Sequence, residues 1–180
     1  VMVTGSGQQN RDEEIFGHRP FAVLADALAR HGIASLRYDD RGYGNAALDF
    51  SSFTSDDFKD DAEAVIRYLR NRFSRVGVIG HSEGGTIALM IAAEGKADYV
   101  VTMAAMAVSG LQTLVSQHRA SLAQAFLPVT VLDAYSNALS DAFGKLANGA
   151  CVEDIDVGNV PAMLREHFSK VLWQTSSPYM

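Results

Sequence analysis

Apolar positions along this chain fall in two rhythms, and the change between them divides it. Residues 1–4 are β-prone and run into Gly5-Ser6-Gly7, which predicts a strand entering a glycine-containing turn. A polar loop, residues 8–14, follows. Pro20 suits the first position of a helix, and Phe21, Leu24, Ala25 and Leu28 keep helical spacing until Gly32 stops it. Residues 33–38 read as a second strand, ending at Asp39-Asp40-Arg41-Gly42. The next helix is capped near Thr54 or Ser55, and its apolar face carries Phe58, Ala62, Val65, Ile66, Leu69 and Phe73. Residues 75–80 read as a third strand, 83–93 as a helix and 99–104 as a fourth strand.

Strand and helix thus alternate over residues 1–105. That order predicts an α/β architecture, a mostly parallel sheet with helices on both faces. Residues 1–4 are expected between 33–38 and 99–104 in the sheet, beside 75–80. After Ala105 the strand signals fade. Residues 111–126 and 131–147 read as helices, with a β-branched stretch at 127–132 taken as helical because Tyr135, Leu139 and Phe143 follow at helical spacing. Val160, Leu164, Phe168, Val171 and Leu172 mark a last amphipathic helix begun near Asn159 and Pro161. Residues 106–180 therefore read as a helical insertion.

Composition narrows the function classes. With 48% apolar and 20% charged residues the chain has the balance of a folded protein. A formal charge of -6 with no basic cluster offers nothing to draw nucleic acid by counterion release. No stretch reaches the roughly 20 apolar residues that cross a bilayer, so a membrane is not an expected partner either. Cys151 is alone, which forbids an intrachain disulfide. The chain opens inside a strand without an initiator Met or a visible signal, so it is expected to be a piece of a longer protein, in either cytoplasm or periplasm.

The chemistry-bearing motif is Gly80-His81-Ser82-Glu83-Gly84, a G-x-S-x-G sequence between a predicted strand and a predicted helix. A sharp strand-to-helix turn strains the central residue and needs small neighbours two positions away, which Gly80 and Gly84 supply. It lifts the Ser82 hydroxyl over the C-terminal edge of the sheet and aims the first helical amides at the same spot. Ser82 is the expected nucleophile. The backbone amide of Glu83 is one expected oxyanion donor, and that of Ser6 the second, chosen over Gly7 and Gln8.

Three runs carry a family resemblance: Thr4-Gly5-Ser6-Gly7-Gln8-Gln9-Asn10-Arg11-Asp12-Glu13, Arg37-Tyr38-Asp39-Asp40-Arg41-Gly42-Tyr43-Gly44, and Gly80-His81-Ser82-Glu83-Gly84-Gly85. Together they resemble bacterial α/β-hydrolases of the serine esterase type, close to the dienelactone-hydrolase and acyl-esterase branches. The resemblance covers residues 1–105 and extends loosely to Ser177, Pro178 and Tyr179. It implies that the chain opens at the third strand of the family's sheet, that 1–105 is the N-terminal part of the catalytic core, and that 106–180 is a helical cap over the active site. It also implies a small-molecule ester substrate and no cofactor or metal. The family's triad runs Ser, then an acid, then His, on loops after later strands. Here His118 and His167 fall inside predicted helices and read as solvated, and His81 is locked beside the nucleophile. Asp133, Asp141, Asp154 and Asp156 read as caps or solvated carboxylates. The triad acid and histidine are therefore expected beyond Met180, which would leave this piece nearly inactive and its open sheet edge prone to self-association.

The remaining polar groups have ordinary readings. Asp39, Asp40 and Arg41 are expected to serve the turn, the loop at 8–13 to be solvated, and the carboxylates of residues 56–63 to answer to the helix dipole and solvent rather than to a metal. Met103, Met106 and Met163 read as packing. A serine peptidase or thioesterase on the same fold stays open beside the esterase, as does an inactive binding scaffold.

Overall fold

The computed structural model describes residues 1–48 and 50–175; Ser177, Pro178 and Tyr179 lie outside them. The chain divides into two compact units, residues 1–106 and 107–180.

The first unit is built on three parallel strands, β1 (Met2–Val3), β2 (Val78–His81) and β3 (Val100–Met103). Their order is β1-β2-β3, with Val3 opposite Gly80 and Gly80 opposite Thr102. Residues 1–4 lie beside β2, as expected, with β3 beyond it and Leu36 at the other edge of β1. One expectation is corrected. Residues 33–38 form no strand. With β1 only two residues long, their contact with it shrinks to one ladder bond, Met2 N to Leu36 O at 3.0 Å, and Ile33 stays 46% exposed.

Helices α1 (Pro20–Arg30), α2 (Ser55–Arg70) and α3 (Glu83–Ala93) complete the unit. Pro20 starts α1 and Gly32, at φ 74°, ends its turn. A capping box starts α2: the Thr54 hydroxyl accepts from the Asp57 amide and the Asp57 carboxylate accepts from the Thr54 amide. Phe58, Ala62 and Ile66 of α2 pack with Ile87, Ala88 and Ile91 of α3 against Val3 and Val78. Burying each of the Phe, Ile and Val side chains contributes about 1.5–3 kcal/mol. Alternation turns Met2 to the opposite face, where it too is buried, as is Phe21 of α1. The result is a parallel sheet with helices on both faces.

The second unit is helical: α4 (Gly110–Ala123), α5 (Val129–Ala147) and α6 (Arg165–Thr175), with single 3-10 turns at Val152–Asp154 and Ala162–Leu164. Pro128, at φ -55° and ψ 142°, caps α5, so the β-branched stretch begins a helix. Tyr135, Leu139 and Phe143 on α5 are fully buried with Val160, Phe168 and Leu172. Met163 is exposed, which corrects its reading as a packing residue. No helix among the described residues is long and apolar enough to cross a membrane.

Candidate active site

β2 ends at His81 and α3 begins at Glu83, so Ser82 alone makes the turn. Its backbone sits at φ 50°, ψ -116°. A non-glycine residue held there costs on the order of 1–3 kcal/mol and persists only where neighbours over-determine it. They do so here: the Ser82 amide donates to Met103 O at 2.8 Å, and the Ser82 carbonyl accepts from Gly85 N at 3.0 Å. Close packing supplies the rest. A Cβ at Gly80 would collide with the Gly84 carbonyl, and one at Gly84 with the carbonyl oxygens of Val3 and Thr4. A Cβ at Gly85 would meet Ala105. Strand and helix can approach this closely only through glycine.

The turn after β1 lies against this elbow. A Cβ on Gly5 would stand 3.2 Å from Ser82 Cβ, 3.2 Å from Glu13 Oε1 and 3.3 Å from His81 Nδ1. The Gly5 amide donates to Glu13 Oε1 at 2.7 Å. Among the described residues the amides of Ser6 and Glu83 have no hydrogen-bond partner. The Ser6 carbonyl accepts from Gln9 Nε2 at 3.3 Å, and the buried Glu83 carboxylate accepts from the Ser55 hydroxyl at 2.5 Å.

The loop at 8–13 is tied down by hydrogen bonds, although Gln8 and Arg11 stay exposed, which amends the sequence expectation of a merely solvated loop. Asp40, buried, accepts from the Thr4 hydroxyl at 2.7 Å and the Gln9 amide at 2.8 Å. Burial pushes the Asp40 carboxyl up to about 6; those two hydrogen bonds oppose the rise and the Glu83 and Asp61 carboxylates add to it. Asp39 accepts from the Arg11 amide at 2.8 Å and from its guanidinium at 2.6 and 3.0 Å, which holds its carboxyl below the usual range. Arg37 pairs with Asp12. Asp39 and Asp40 thus serve structure, as expected, but through the backbone of the loop rather than through their own turn.

Arg41 reaches α2, bonding Asp57 at 2.8 Å and Asp61 at 2.7 Å. Glu63 is buried against Lys96, 2.8 Å away. The helix dipole and solvent are therefore not the whole reason for the carboxylates of residues 56–63. Among the described residues no cluster of three His, Cys, Asp or Glu could hold a metal ion.

His81 turns its Nδ1 to Glu13 Oε1, 2.7 Å away. In the helical unit His118 of α4 and His167 of α6 pack ring to ring at 6.2 Å, and His167 lies 6.0 Å from the Tyr135 ring. His118 is half-buried, not solvated, and burial with the neighbouring imidazole lowers its pKa. Asp133 pairs with Arg119 and Asp141 with Lys145, each at 2.7 Å, and Asp156 accepts from the Gly158 amide. Sequence reasoning missed Glu13: in Arg11-Asp12-Glu13-Glu14 nothing in the pattern separates the buried carboxylate from its exposed neighbour.

A parallel sheet flanked by helices, with a strained serine at a glycine-framed strand-to-helix turn, defines an α/β-hydrolase. A family model described as "Serine aminopeptidase, S33" matches residues 18–142, more than half the chain, and the chain belongs to that family. Esterase EstD of Thermotoga maritima is 35% identical over 106 residues, 58% of this chain and 26% of that protein. The chain thus spans about a quarter of the length of this relative. No solved structure matches it.

Proposed function

We propose that this chain is the nucleophile-bearing part of a serine hydrolase that cleaves small carboxylic esters through an acyl-enzyme on Ser82. One observation carries it: Ser82 holds a positive φ at the strand-to-helix turn, where α3 begins with Glu83 and the turn after β1 comes close through Gly5. The Ser82 oxygen attacks the ester carbonyl and loses its proton to a general base. The carbonyl electron pair moves to oxygen, where the Ser6 and Glu83 amides hold the charge. Collapse breaks the bond to the alkoxide, which leaves with a proton, and water then releases the acid by the reverse route.

Neither His81, engaged with Glu13, nor the helical His118 and His167 has the loop setting of a triad histidine. The base and its acid are proposed to lie outside residues 1–180. The relative named as an esterase supports ester chemistry. The family description favours a second reading, aminopeptidase activity by the same serine. p-Nitrophenyl acetate and an aminoacyl p-nitroanilide, offered to the full-length gene product and its Ser82→Ala variant, separate the two. Faster ester turnover that disappears in Ser82→Ala is expected; anilide cleavage with no ester cleavage would favour the peptidase.

A further inference from the structure

Glu13 is a charged side chain that the proposed chemistry does not use, yet it is only 5% exposed. Burying a carboxylate is costly unless its oxygens are paired. Here one oxygen does the pairing: Oε1 accepts from the Gly5 amide at 2.7 Å and lies 2.7 Å from His81 Nδ1. The first partner opens the turn after β1, and the second immediately precedes Ser82. The local backbone is shaped to deliver this oxygen. Glu13 sits at φ 52°, a left-handed conformation uncommon outside glycine, and its amide donates to Asn10 O at 2.9 Å. Asn10 Oδ1 accepts from the amides of Asp12 at 3.0 Å and Glu14 at 3.2 Å, closing the turn that points Glu13 inward. Gly5 leaves no slack, since even a methyl there would press on Glu13, His81 and Ser82 together.

Resting on the assignment of Ser82 as nucleophile, we infer that Glu13 is a positioning residue for the oxyanion site. By holding the Gly5 amide and the His81 ring on one oxygen, it fixes how far the Ser6 amide stands from the Ser82 hydroxyl. It also occupies the Gly5 amide, so Ser6 offers the first free donor of the loop. Charge on the carbonyl oxygen develops only in the transition state, so a displaced donor lowers kcat more than it raises KM. Losing an oxyanion donor outright costs about 10²–10³-fold in kcat, and a shifted one should cost part of that, about 10–100-fold.

Length of reach, not charge, is the quantity to vary. Glu13→Asp keeps the charge but withdraws the oxygen, Glu13→Ala removes it, and Glu13→Gln keeps an acceptor oxygen at the same reach. The three variants, the parent full-length gene product and Ser82→Ala are assayed for kcat and KM on p-nitrophenyl acetate at a temperature where circular dichroism shows each folded. The expected result is kcat down about 10–100-fold in Glu13→Asp and Glu13→Ala with KM within about threefold, and Glu13→Gln restored to within about fivefold of the parent. If one shortened variant does not fold, the other decides. Parent-like kcat in a folded shortened variant, a change confined to KM, or a Gln variant as impaired as Asp would overturn the inference. Failure of the nucleophile assignment is read separately, as parent-like turnover in Ser82→Ala.

Discussion

Replacing Gly84 by alanine tests whether the elbow is held by close approach or merely by convenience. Gly84 lies in the first turn of α3 and has no positive φ, so an isolated helix would gain from alanine, by up to about 1 kcal/mol. The structure predicts the opposite sign. The new methyl would overlap the carbonyl oxygens of both Val3 and Thr4, and backbone cannot swing aside as a flexible side chain can. Relief requires α3 to move away from β1. Overpacking of this kind costs typically 1–3 kcal/mol, and two backbone contacts put it at the upper end, so a net loss of about 2 kcal/mol remains after the helix gain. For a unit of about 100 residues that lowers Tm by roughly 8–16 °C. The same motion withdraws the Glu83 amide from the β1 turn, so ester turnover should fall as well. Gly144 in α5 is the control: nothing lies within 4 Å of a Cβ there, so Gly144→Ala should raise stability by about 0.5–1 kcal/mol. Thermal unfolding followed by circular dichroism, with p-nitrophenyl acetate turnover on the same samples, reads both quantities. A Gly84→Ala protein as stable and as active as its parent would refute the packing account of the turn.

Two other perturbations follow from the structure. The Asp40 carboxyl is raised to about 6 from 3.8, so the folded state holds its proton more tightly than the unfolded chain. Its stabilising contribution is full below about pH 4 and is lost as pH rises through 6; it is on the order of 1–2 kcal/mol once solvent screening is allowed for. Unfolding free energies between pH 4 and 7 should therefore fall more steeply in the parent than in Asp40→Asn, and equal slopes would contradict the burial of this group. In the helical unit, Leu139 is fully buried among Tyr135, Phe143 and Phe168. Leu139→Ala should cost about 2–5 kcal/mol in chemical unfolding, whereas a loss below about 1 kcal/mol would mean the core is not packed as described.

What could be seen in the sequence follows the range of each interaction. The elbow was legible because its constraint is local: glycines two residues either side of Ser82 are a steric signature within five positions. So was the start of α2, where Thr54 and Asp57 satisfy each other three residues apart. Tyr135, Leu139 and Phe143 announced a buried helix face by spacing alone. Long-range pairing left no such mark. Arg41 meets Asp57 and Asp61 on the next helix, Glu63 meets Lys96 on the far side of α3, and Asp40 holds the Gln9 amide. Each reads in sequence as an ordinary surface charge. Residues 33–38 looked like a strand because their composition suits one, but strand formation depends on a partner, and β1 offers only two residues. Glu13 combines both difficulties, with partners at Gly5 and at His81, 68 residues away.

The central claim, that Ser82 is the nucleophile, is tested most directly by trapping it. The full-length gene product is treated with an organophosphate that transfers its phosphoryl group to activated serines, digested, and mapped by mass spectrometry while p-nitrophenyl acetate turnover is followed in parallel. The account predicts one adduct per chain, on the Ser82 hydroxyl, appearing in step with the loss of turnover, and neither labelling nor turnover in Ser82→Ala. Complete inactivation with the label on another residue, or with the Ser82 peptide unmodified, would contradict it.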